Sequence, residues 1–579
     1  MGRWTKTLGI LAIAAGMAMG ARAQENDTAA GAQGPAAQPS AATGDETNIF
    51  QSLQIELLDL DSLREEVGRK LVGEPIRMTL EQCVQTALIY NQDILIQGFD
   101  IGMTDADLKA ARGQFDPLLA LSALHTDSTR PASSQILAFS DIAGNIESKT
   151  QDYQLGLSGR SWIGTQYEFG FLVNRERGTF TTPRDPVTGE PLETETVYTA
   201  DWTLTLTQPL LRGVGTNSNM VLIKRAKNNQ KISDAQAELV VLNTIGEVTR
   251  SYWDLVGAVE QLRVQQQSLD NALRVLRINE QRYELGTAAL LEVLEAKAGV
   301  AARQSDLVSA RTIVLDAEDV LKTRMGLYDE SGELLSGANI IPIDRPVIHD
   351  PEYDLEESMR TAITRRPDVL SAEIAIDNAE VDVKASRNDL LPQFDISTSY
   401  GRNTIKLEAD EIFPGLHDND GNTWTVGAVA SVPIGNRTAR GNYQRNKLFM
   451  RQQEQRLMKV KQDAMLAVRL AIHQLASNRI LVESTKQARV LEEANVAAEE
   501  KRLKIGVTTA QNVLDKQEDL TAAQAREVRA QVDFERSLIN LQVAEGTLLE
   551  NMSIVYEAPV FDDEPGFFKS LLGPAGTED

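Results

Sequence analysis

Residues that could carry out chemistry are few and scattered in this chain of 579 residues. The single cysteine, Cys83, excludes an intrachain disulfide and a thiolate-rich metal site. The four histidines do not form a local metal-binding motif. Gly213-Val-Gly215 lacks the Lys-Ser/Thr pair that completes a phosphate-binding loop. Because no paired catalytic constellation is found either, the sequence predicts no enzyme, no cofactor and no metal site.

The charge balance excludes another class of function. The chain has 58 Lys and Arg against 83 Asp and Glu, a formal net charge of −25. A binder of duplex nucleic acid needs a basic face to displace counterions, so no nucleic-acid partner is expected. Aromatic residues make up only 5% of the chain, which favours long helices over a thick globular core.

The first residues have the composition of an export signal. Arg3 and Lys6 precede a mostly apolar run over residues 8–20, and Ala21-Arg22-Ala23 has the small-x-small pattern of a cleavage site. The run is shorter than the roughly 20 residues of a transmembrane helix. We therefore predict a signal peptide over residues 1–23. No apolar run of membrane-spanning length occurs elsewhere, so any membrane part should consist of β-strands.

The body of the chain is an internal duplication. The segment that starts at Thr79 matches the one that starts at Asp354, and residues 279–327 match residues 499–547. We call residues 79–327 the first copy and residues 354–547 the second copy, with a linker over residues 328–353. Two further regions are predicted outside the copies: residues 24–78, a disordered linker with a short amphipathic helix, and a C-terminal tail over residues 548–579.

Each copy reads as helix, strands, long helix and shorter helix. The opening helix of the first copy is predicted from Thr79 to Gln114, before Pro117, and its counterpart ends before Pro392. The hydrophobic period then changes to two, as in strands. Pro209 and Pro433 mark the return to helix, so these four prolines are the predicted strand–helix turns.

The first copy contains 55 extra residues after Pro117. They carry two alternating runs, residues 153–157 and 167–173, joined by a tight turn around Gly164. Residues 177–196 are predicted to be a long exposed loop. The chain therefore has four strands, or six if the extra hairpin joins the sheet.

The long helices, predicted over residues 220–283 and 443–503, would each be about 90 Å long. Their apolar residues have coiled-coil spacing, so each must lie beside other long helices. The alternating strands suit either a soluble sheet that caps a helical stalk or a membrane barrel. Export and the length of the helices favour the barrel. Neither four nor six strands reach the eight of a closed barrel, so the chain must oligomerise, and three subunits would give 12 or 18 strands.

The duplicated plan resembles the TolC-like outer-membrane efflux proteins. The resemblance is carried by the strand ends "TLTQPLLRG" and "VPIGNRTARGNY" and by the helix junctions "RYELGTAALLEVLEA" and "RLKIGVTTAQNVLDK". It implies a mainly α protein with β: a homotrimer whose transmembrane β-barrel in the outer membrane, in contact with its lipid, continues into an α-helical barrel in the periplasm. It also implies a passive exit duct that pairs with a periplasmic adaptor and an inner-membrane transporter.

The resemblance also indicates a candidate gate. The helix junctions at Gly286 and Gly506 would lie near the tapered periplasmic end, where family members direct acidic residues into the lumen. The matching positions are Glu292, Asn512 and Asp515, and Glu295 is added as the repeat counterpart of Asp515. Carboxylates gathered on a threefold axis would attract cations. Alternatively, these residues are ordinary solvated positions on a helix.

Two further alternatives stay open from the sequence. Trp202 and Trp424 are either interfacial aromatics or ordinary strand residues. The chain as a whole could instead be an exported coiled-coil scaffold of the cell envelope. That function would explain the long helices but not the strands that recur at matching places in both copies.

Overall fold

The computed structural model describes residues 76–131, 145–178, 196–328, 339–346, 353–418 and 421–554. All of them belong to the larger of two units of the chain, residues 67–579. The predicted signal peptide and amphipathic segment, nearly all of the predicted loop, and the end of the predicted tail lie outside the described residues. No helix in the described part of the chain combines the length and the apolar character needed to cross a membrane.

The first copy follows the predicted order of elements, with one correction. Two helices occupy the segment for which a single helix was predicted. A short strand precedes them, and a 3₁₀ turn follows them at Gly113–Phe115. The elements before the sheet are β1 (Ile76–Met78), α1 (Leu80–Tyr90) and α2 (Gln92–Arg112). After the sheet strands come α3 (Thr216–Asn219), α4 (Val221–Glu284) and α5 (Leu290–Met325), and β6 (Ile340–Pro342) lies in the linker that follows the copy.

The prediction of one continuous helix from Thr79 to Gln114 is wrong because Asn91 interrupts it. Asn91 has extended backbone angles, and its side-chain oxygen accepts the N–H groups of Asp93 and Ile94 at 2.9 and 3.2 Å. It thereby caps the start of α2. Its side-chain nitrogen donates to the carbonyl of Arg324 at 2.8 Å, which fastens the break to the end of α5.

The second copy repeats this break with different chemistry. Its helices are α6 (Leu355–Arg365), α7 (Pro367–Asn388), α8 (Ile412–Asp418), α9 (Arg437–Lys504) and α10 (Ala510–Glu545), and α11 (Leu548–Asn551) follows the copy. Arg366 occupies the position of Asn91, and Pro367 begins the next helix. The guanidinium of Arg366 donates to the carbonyl of Ala544 at 3.2 Å, and Ala544 is the repeat counterpart of Arg324.

The six sheet strands form one antiparallel sheet in which the extra hairpin takes part. Their order follows the chain: β2 (Leu118–Pro131), β3 (Asn145–Arg160), β4 (Gln166–Gly178), β5 (Val197–Pro209), β7 (Gln393–Lys406) and β8 (Gly421–Ser431). The strands β2 and β8 are the two edges of this sheet. The described strands β1 and β6 form a separate parallel pair. The chain therefore contributes six strands to the sheet, rather than four.

The register gives the six-stranded sheet two unlike faces. Residues directly opposite each other in an antiparallel sheet lie on the same face. One row across all six strands is apolar and consists of Leu119, Leu157, Phe169, Leu204, Tyr400 and Trp424. The adjacent row on the other face consists of Ala120, Gly156, Gly170, Thr203, Gly401 and Thr423. We call these the apolar face and the small-residue face.

The turn of the extra hairpin packs against the connection between β5 and α3. Gly215 donates its N–H to the carbonyl of Ile163 at 2.9 Å. Gly164 has a φ of +97°, and a Cβ there would lie 2.4 Å from the carbonyl oxygen of Gly213. Only glycine fits this position, so the predicted turn around Gly164 is confirmed.

The main core lies where the ends of both copies meet. The helices α1, α4, α5, α10 and α11 contribute to one cluster of buried apolar side chains, in which Tyr252 is fully buried. The Tyr252 hydroxyl donates to a carboxylate oxygen of Asp344 at 2.9 Å, and the same oxygen accepts the N–H of Leu80 at 2.8 Å. This contact fastens the segment after β6 to the start of α1. Burial, together with nearby Asp344, raises the pKa of the Cys83 thiol to about 12.

Candidate functional site

Both predicted helix junctions are tight turns at the far ends of the long helices. Gly286 lies between α4 and α5 with a φ of +71°, and Gly506 lies between α9 and α10 with a φ of +73°. Each glycine donates its N–H back into the long helix, to Tyr283 at 2.9 Å and to Leu503 at 3.0 Å. A Cβ at either glycine would have no neighbour within 4 Å, so backbone conformation, rather than space, selects glycine here.

The turn of the first copy is closed by an ion pair. Arg282, in the last turn of α4, places its Nη1 3.4 Å from Oε2 of Glu292 in the first turn of α5. Asn279 donates to the backbone carbonyl of Glu292 at 3.4 Å. Glu292, one of the four predicted gate residues, therefore links the two helices of this turn.

The turn of the second copy is closed by a hydrogen-bonded chain. The carboxylate of Glu499 accepts from Arg502 at 2.9 Å and from the hydroxyl of Thr508. Asn512, a predicted gate residue, donates its side-chain N–H to the same hydroxyl at 3.0 Å. The hydrogen bond from Thr508, followed by the charge of Arg502, lowers the pKa of the Glu499 carboxyl.

Glu499 and Thr508 were missed by the sequence reasoning. Glu499 is the repeat counterpart of Asn279, and Asn512 is the counterpart of Glu292. The acidic residue of the turn therefore occupies different positions in the two copies. In the first copy it is Glu292 at the start of the short helix, and in the second it is Glu499 near the end of the long helix. A comparison of all polar positions in the two junctions, rather than of acids alone, could have found it.

The two remaining predicted gate residues lie on exposed positions. Asp515 accepts a hydrogen bond from Gln511 at 2.7 Å, and Glu295 is exposed on α5. The helices α5 and α10 come together just beyond these residues. Arg303 Nη2 lies 3.1 Å from Glu518 Oε2, and a Cβ on Gly299 would lie 3.4 Å from the Leu514 side chain. All four predicted positions are therefore in the first two turns of two neighbouring helices.

The two tryptophans singled out from the sequence lie on the apolar face of the sheet. Trp424 on the edge strand β8 is 73% exposed, whereas Trp202 is half-buried. The Trp202 ring meets Tyr400 edge to face at 5.5 Å. The short helix α8, which the sequence did not predict, packs on the same face. Its Ile412 and Leu416 join a small cluster with Ala200.

No group of three or more His, Cys, Asp or Glu side chains among the described residues is placed to hold a metal ion. The arrangement instead combines an amphipathic sheet at one end of two long helices with charged turns at the other.

Comparisons with known proteins agree with this architecture. The family model for outer membrane efflux proteins matches residues 173–327 and 359–547, more than half of the chain. The pyoverdine export outer membrane protein OpmQ of Pseudomonas putida is 25% identical over 315 residues, which are 53% of this chain and 63% of OpmQ. The outer membrane protein TolC of Escherichia coli is 23% identical over 338 residues, 57% of this chain and 66% of TolC. The chain thus spans somewhat less than two thirds of the length of these relatives.

Solved structures give the same fold. The outer-membrane channel OprN superposes with a TM-score of 0.57 at 17% identity, covering 81% of this chain and 89% of OprN. The Campylobacter jejuni CmeC outer membrane channel superposes with a TM-score of 0.56 at 16% identity, covering 81% of this chain and 85% of CmeC.

Proposed function

The chain belongs to the outer membrane efflux protein family, and from this premise we propose that it is the exit duct of an efflux or secretion system. In this proposal the six-stranded sheet lies in the outer membrane and the long helices extend into the periplasm. The duct conducts passively, and a periplasmic adaptor and an inner-membrane transporter supply the substrate and the energy. Pyoverdine export is the role named for OpmQ and is not assigned to this chain.

The observation that carries the proposal is the form of the sheet. It has a continuous apolar row on one face, small residues on the other, and two edge strands, β2 and β8. Unpaired edges cannot be left in hydrocarbon, because each unsatisfied backbone group there costs several kcal/mol. Pairing β8 of one copy with β2 of the next removes both edges. Three copies would then form a barrel of eighteen strands.

The duplication predicts the register of that pairing. Within the chain, β5 of the first copy pairs with β7 of the second, and Thr207 lies opposite Ser397. Thr207 lies two residues before Pro209, and its repeat counterpart two residues before Pro433 is Ser431. Ser397 lies five residues after Pro392, and its counterpart five residues after Pro117 is Ser122. We therefore expect Ser431 of one copy to lie opposite Ser122 of the next. Both residues belong to the small-residue face, so the register keeps the apolar face continuous around the barrel.

Cysteine cross-linking tests the assembly. In a Ser122→Cys, Ser431→Cys variant, mild oxidation should link neighbouring subunits into a covalent trimer on a denaturing gel. The matched control, Thr126→Cys with Ser431→Cys, keeps the same face but is four residues out of register and should link much more weakly. Cys83 is buried, so it should not contribute.

Conduction tests the function. The purified protein should extract only with detergent, run as a compact trimer that dissociates on boiling, and form channels in planar bilayers. A monomer that is soluble without detergent and has no conductance would contradict the proposal and favour the exported scaffold.

A further inference from the structure

On β3, β4 and β5 the apolar face of the sheet ends at a boundary with polar side chains. The last apolar row on these strands consists of Tyr153, Val173 and Ala200. The next row away from the helices contains Gln151, Arg175 and Tyr198, and the row after that contains Asp127, Lys149 and Arg177. If the sheet spans the outer membrane as proposed above, this boundary lies at its outer surface.

Three of the cations at this boundary lie close together on β3 and β4, in a chain with a formal net charge of −25. Arg175 and Arg177 are two residues apart on β4, a spacing of roughly 6.6 Å on one face of a strand. Lys149 lies directly opposite Arg177 on the neighbouring strand, roughly 5 Å away between Cα atoms. All three side chains are exposed. The spacing suits an anion with several oxygens.

The Arg175 side chain is oriented without a carboxylate partner. The Arg175 guanidinium donates to Gln151 at 3.2 Å and lies 5.8 Å from the centre of the Tyr198 ring. Among the described residues, no carboxylate forms an ion pair with Arg175 or Arg177, whereas Lys149 is paired with Asp127 at 3.2 Å. Their positive charge is therefore not neutralised within this part of the sheet.

An apolar groove begins one row below the cations. It has a volume of about 510 Å³. Its lining consists of Leu121, Ala123, Tyr153, Leu155, Phe171 and Val173 from the apolar face, together with Ser122 and Gln154. Beside it, Phe413 of α8 stacks on Phe171 with 6.3 Å between ring centres and remains 64% exposed. The groove and the cations thus form a site with an apolar part directed into the membrane and a basic part at its surface.

We propose that this site binds a phosphorylated lipid of the outer leaflet. One acyl chain would lie in the groove, and a headgroup phosphate would accept hydrogen bonds from Arg175 and Arg177. Arginine suits this role because its planar guanidinium can pair with two phosphate oxygens. The proposal rests on the exit-duct function, since that function places the apolar face against lipid.

Native mass spectrometry of the detergent-purified protein tests the site. Diphosphoryl lipid A is the probe, and the same glycolipid without phosphates is the comparison. The wild type should retain the phosphorylated lipid, and Arg175→Gln, Arg177→Gln should lower its occupancy at least tenfold. The phosphate-free lipid should bind the wild type as weakly as the phosphorylated lipid binds this variant. The matched control, Arg112→Gln with Arg160→Gln, removes two exposed arginines near the helix end of the sheet and should leave occupancy unchanged.

Two results would overturn the lipid assignment. One is equal occupancy in the wild type and in Arg175→Gln, Arg177→Gln. The other is displacement of the lipid by millimolar inorganic phosphate, which would indicate a site for the free anion. Single-channel conductance is recorded on the same preparations. Channels without lipid preference contradict only this site, whereas a protein without conductance contradicts the exit-duct function itself.

Discussion

Arg282 and Glu292 form an ion pair across the turn between α4 and α5, with 3.4 Å between Nη1 and Oε2. In the second copy the equivalent arginine, Arg502, is paired within its own helix, at 2.9 Å from Glu499. The two copies therefore close the same turn in two ways. In the first copy the closure depends on the arginine, and in the second it is shared with the hydroxyl of Thr508.

This difference predicts unequal effects of two matched substitutions. Arg282→Ala removes the ion pair between α4 and the Glu292 carboxylate and leaves only the Asn279 hydrogen bond to the Glu292 backbone, so we expect a more open duct with a higher conductance. Arg502→Ala leaves Glu499 bonded to Thr508, so its effect on conductance should be smaller. Single-channel recording of both variants in one lipid mixture checks the order. Equal conductance changes would contradict the assigned roles.

The predicted gate acids should control ion preference. Replacing Glu292 and Asp515 together by Gln and Asn should lower the preference for cations, because carboxylates near a pore axis attract them. Asn512→Asp adds an acid at the same level and should raise that preference. Reversal potentials under a salt gradient measure both changes.

A control variant separates gate effects from a general change in charge. Glu483→Gln removes an exposed acid on α9 about 30 Å from the end of that helix, as the helical rise gives, and should leave the reversal potential unchanged. If the gate substitutions also leave it unchanged, Glu292, Asp515 and Asn512 are ordinary solvated positions.

Three glycines in the left-handed conformation should differ in their tolerance of alanine. At Gly286 a Cβ would meet no atom within 4 Å, so Gly286→Ala should cost about 1–2 kcal/mol of backbone strain alone. At Gly326 a Cβ would lie 2.3 Å from the carbonyl oxygen of Tyr90, which should raise the loss to about 2–5 kcal/mol. At Gly546 the nearest atom is at 3.3 Å, so Gly546→Ala should be intermediate. Thermal unfolding of the three variants under identical conditions checks this order.

Cys83 gives a test of pH dependence. Burial raises the pKa of its thiol from 9.0 to about 12, so the folded protein keeps the proton to a higher pH than the unfolded chain does. The corresponding stabilisation is complete below about pH 9 and is lost as the pH rises towards 12. Iodoacetamide should therefore label native protein very slowly at pH 8 and unfolded protein readily. Between about pH 9 and pH 12, Cys83→Ala should lose less free energy of unfolding than the wild type. Rapid labelling of native protein at pH 8 would contradict the buried position of Cys83.

Much of the fold could be predicted because the sequence is internally duplicated, so each pattern can be compared with its counterpart in the other copy. The alternation around Phe169 and Leu204 and the turn at Gly164 each have a local signal, and the structure confirms them. The break at Asn91 was missed since the apolar pattern continues through it. Its counterpart is visible in the second copy, where Pro367 follows Arg366 and marks the start of a helix.

The candidate site was less accessible to sequence reasoning. The role of Glu499 depends on the position of the Thr508 hydroxyl nine residues away, which no periodic pattern fixes. The basic boundary on the sheet was also missed. Arg175 and Lys149 come from different strands, and only the register places them in neighbouring rows. The chemistry of both regions therefore follows from side-chain geometry rather than from spacing along the chain.

The extra hairpin increases the number of strands in the sheet without changing the number of helices. The β3–β4 turn rests on Gly213 and Gly215 and is not joined to a helix, so it adds two strands without adding a helical connection. The circumference of the sheet can thus grow while the number of helices beneath it stays fixed. In the proposed trimer, the β-barrel would therefore be wide relative to the helical part. Deletion of the β3–β4 hairpin should narrow the barrel and leave the helical part unchanged.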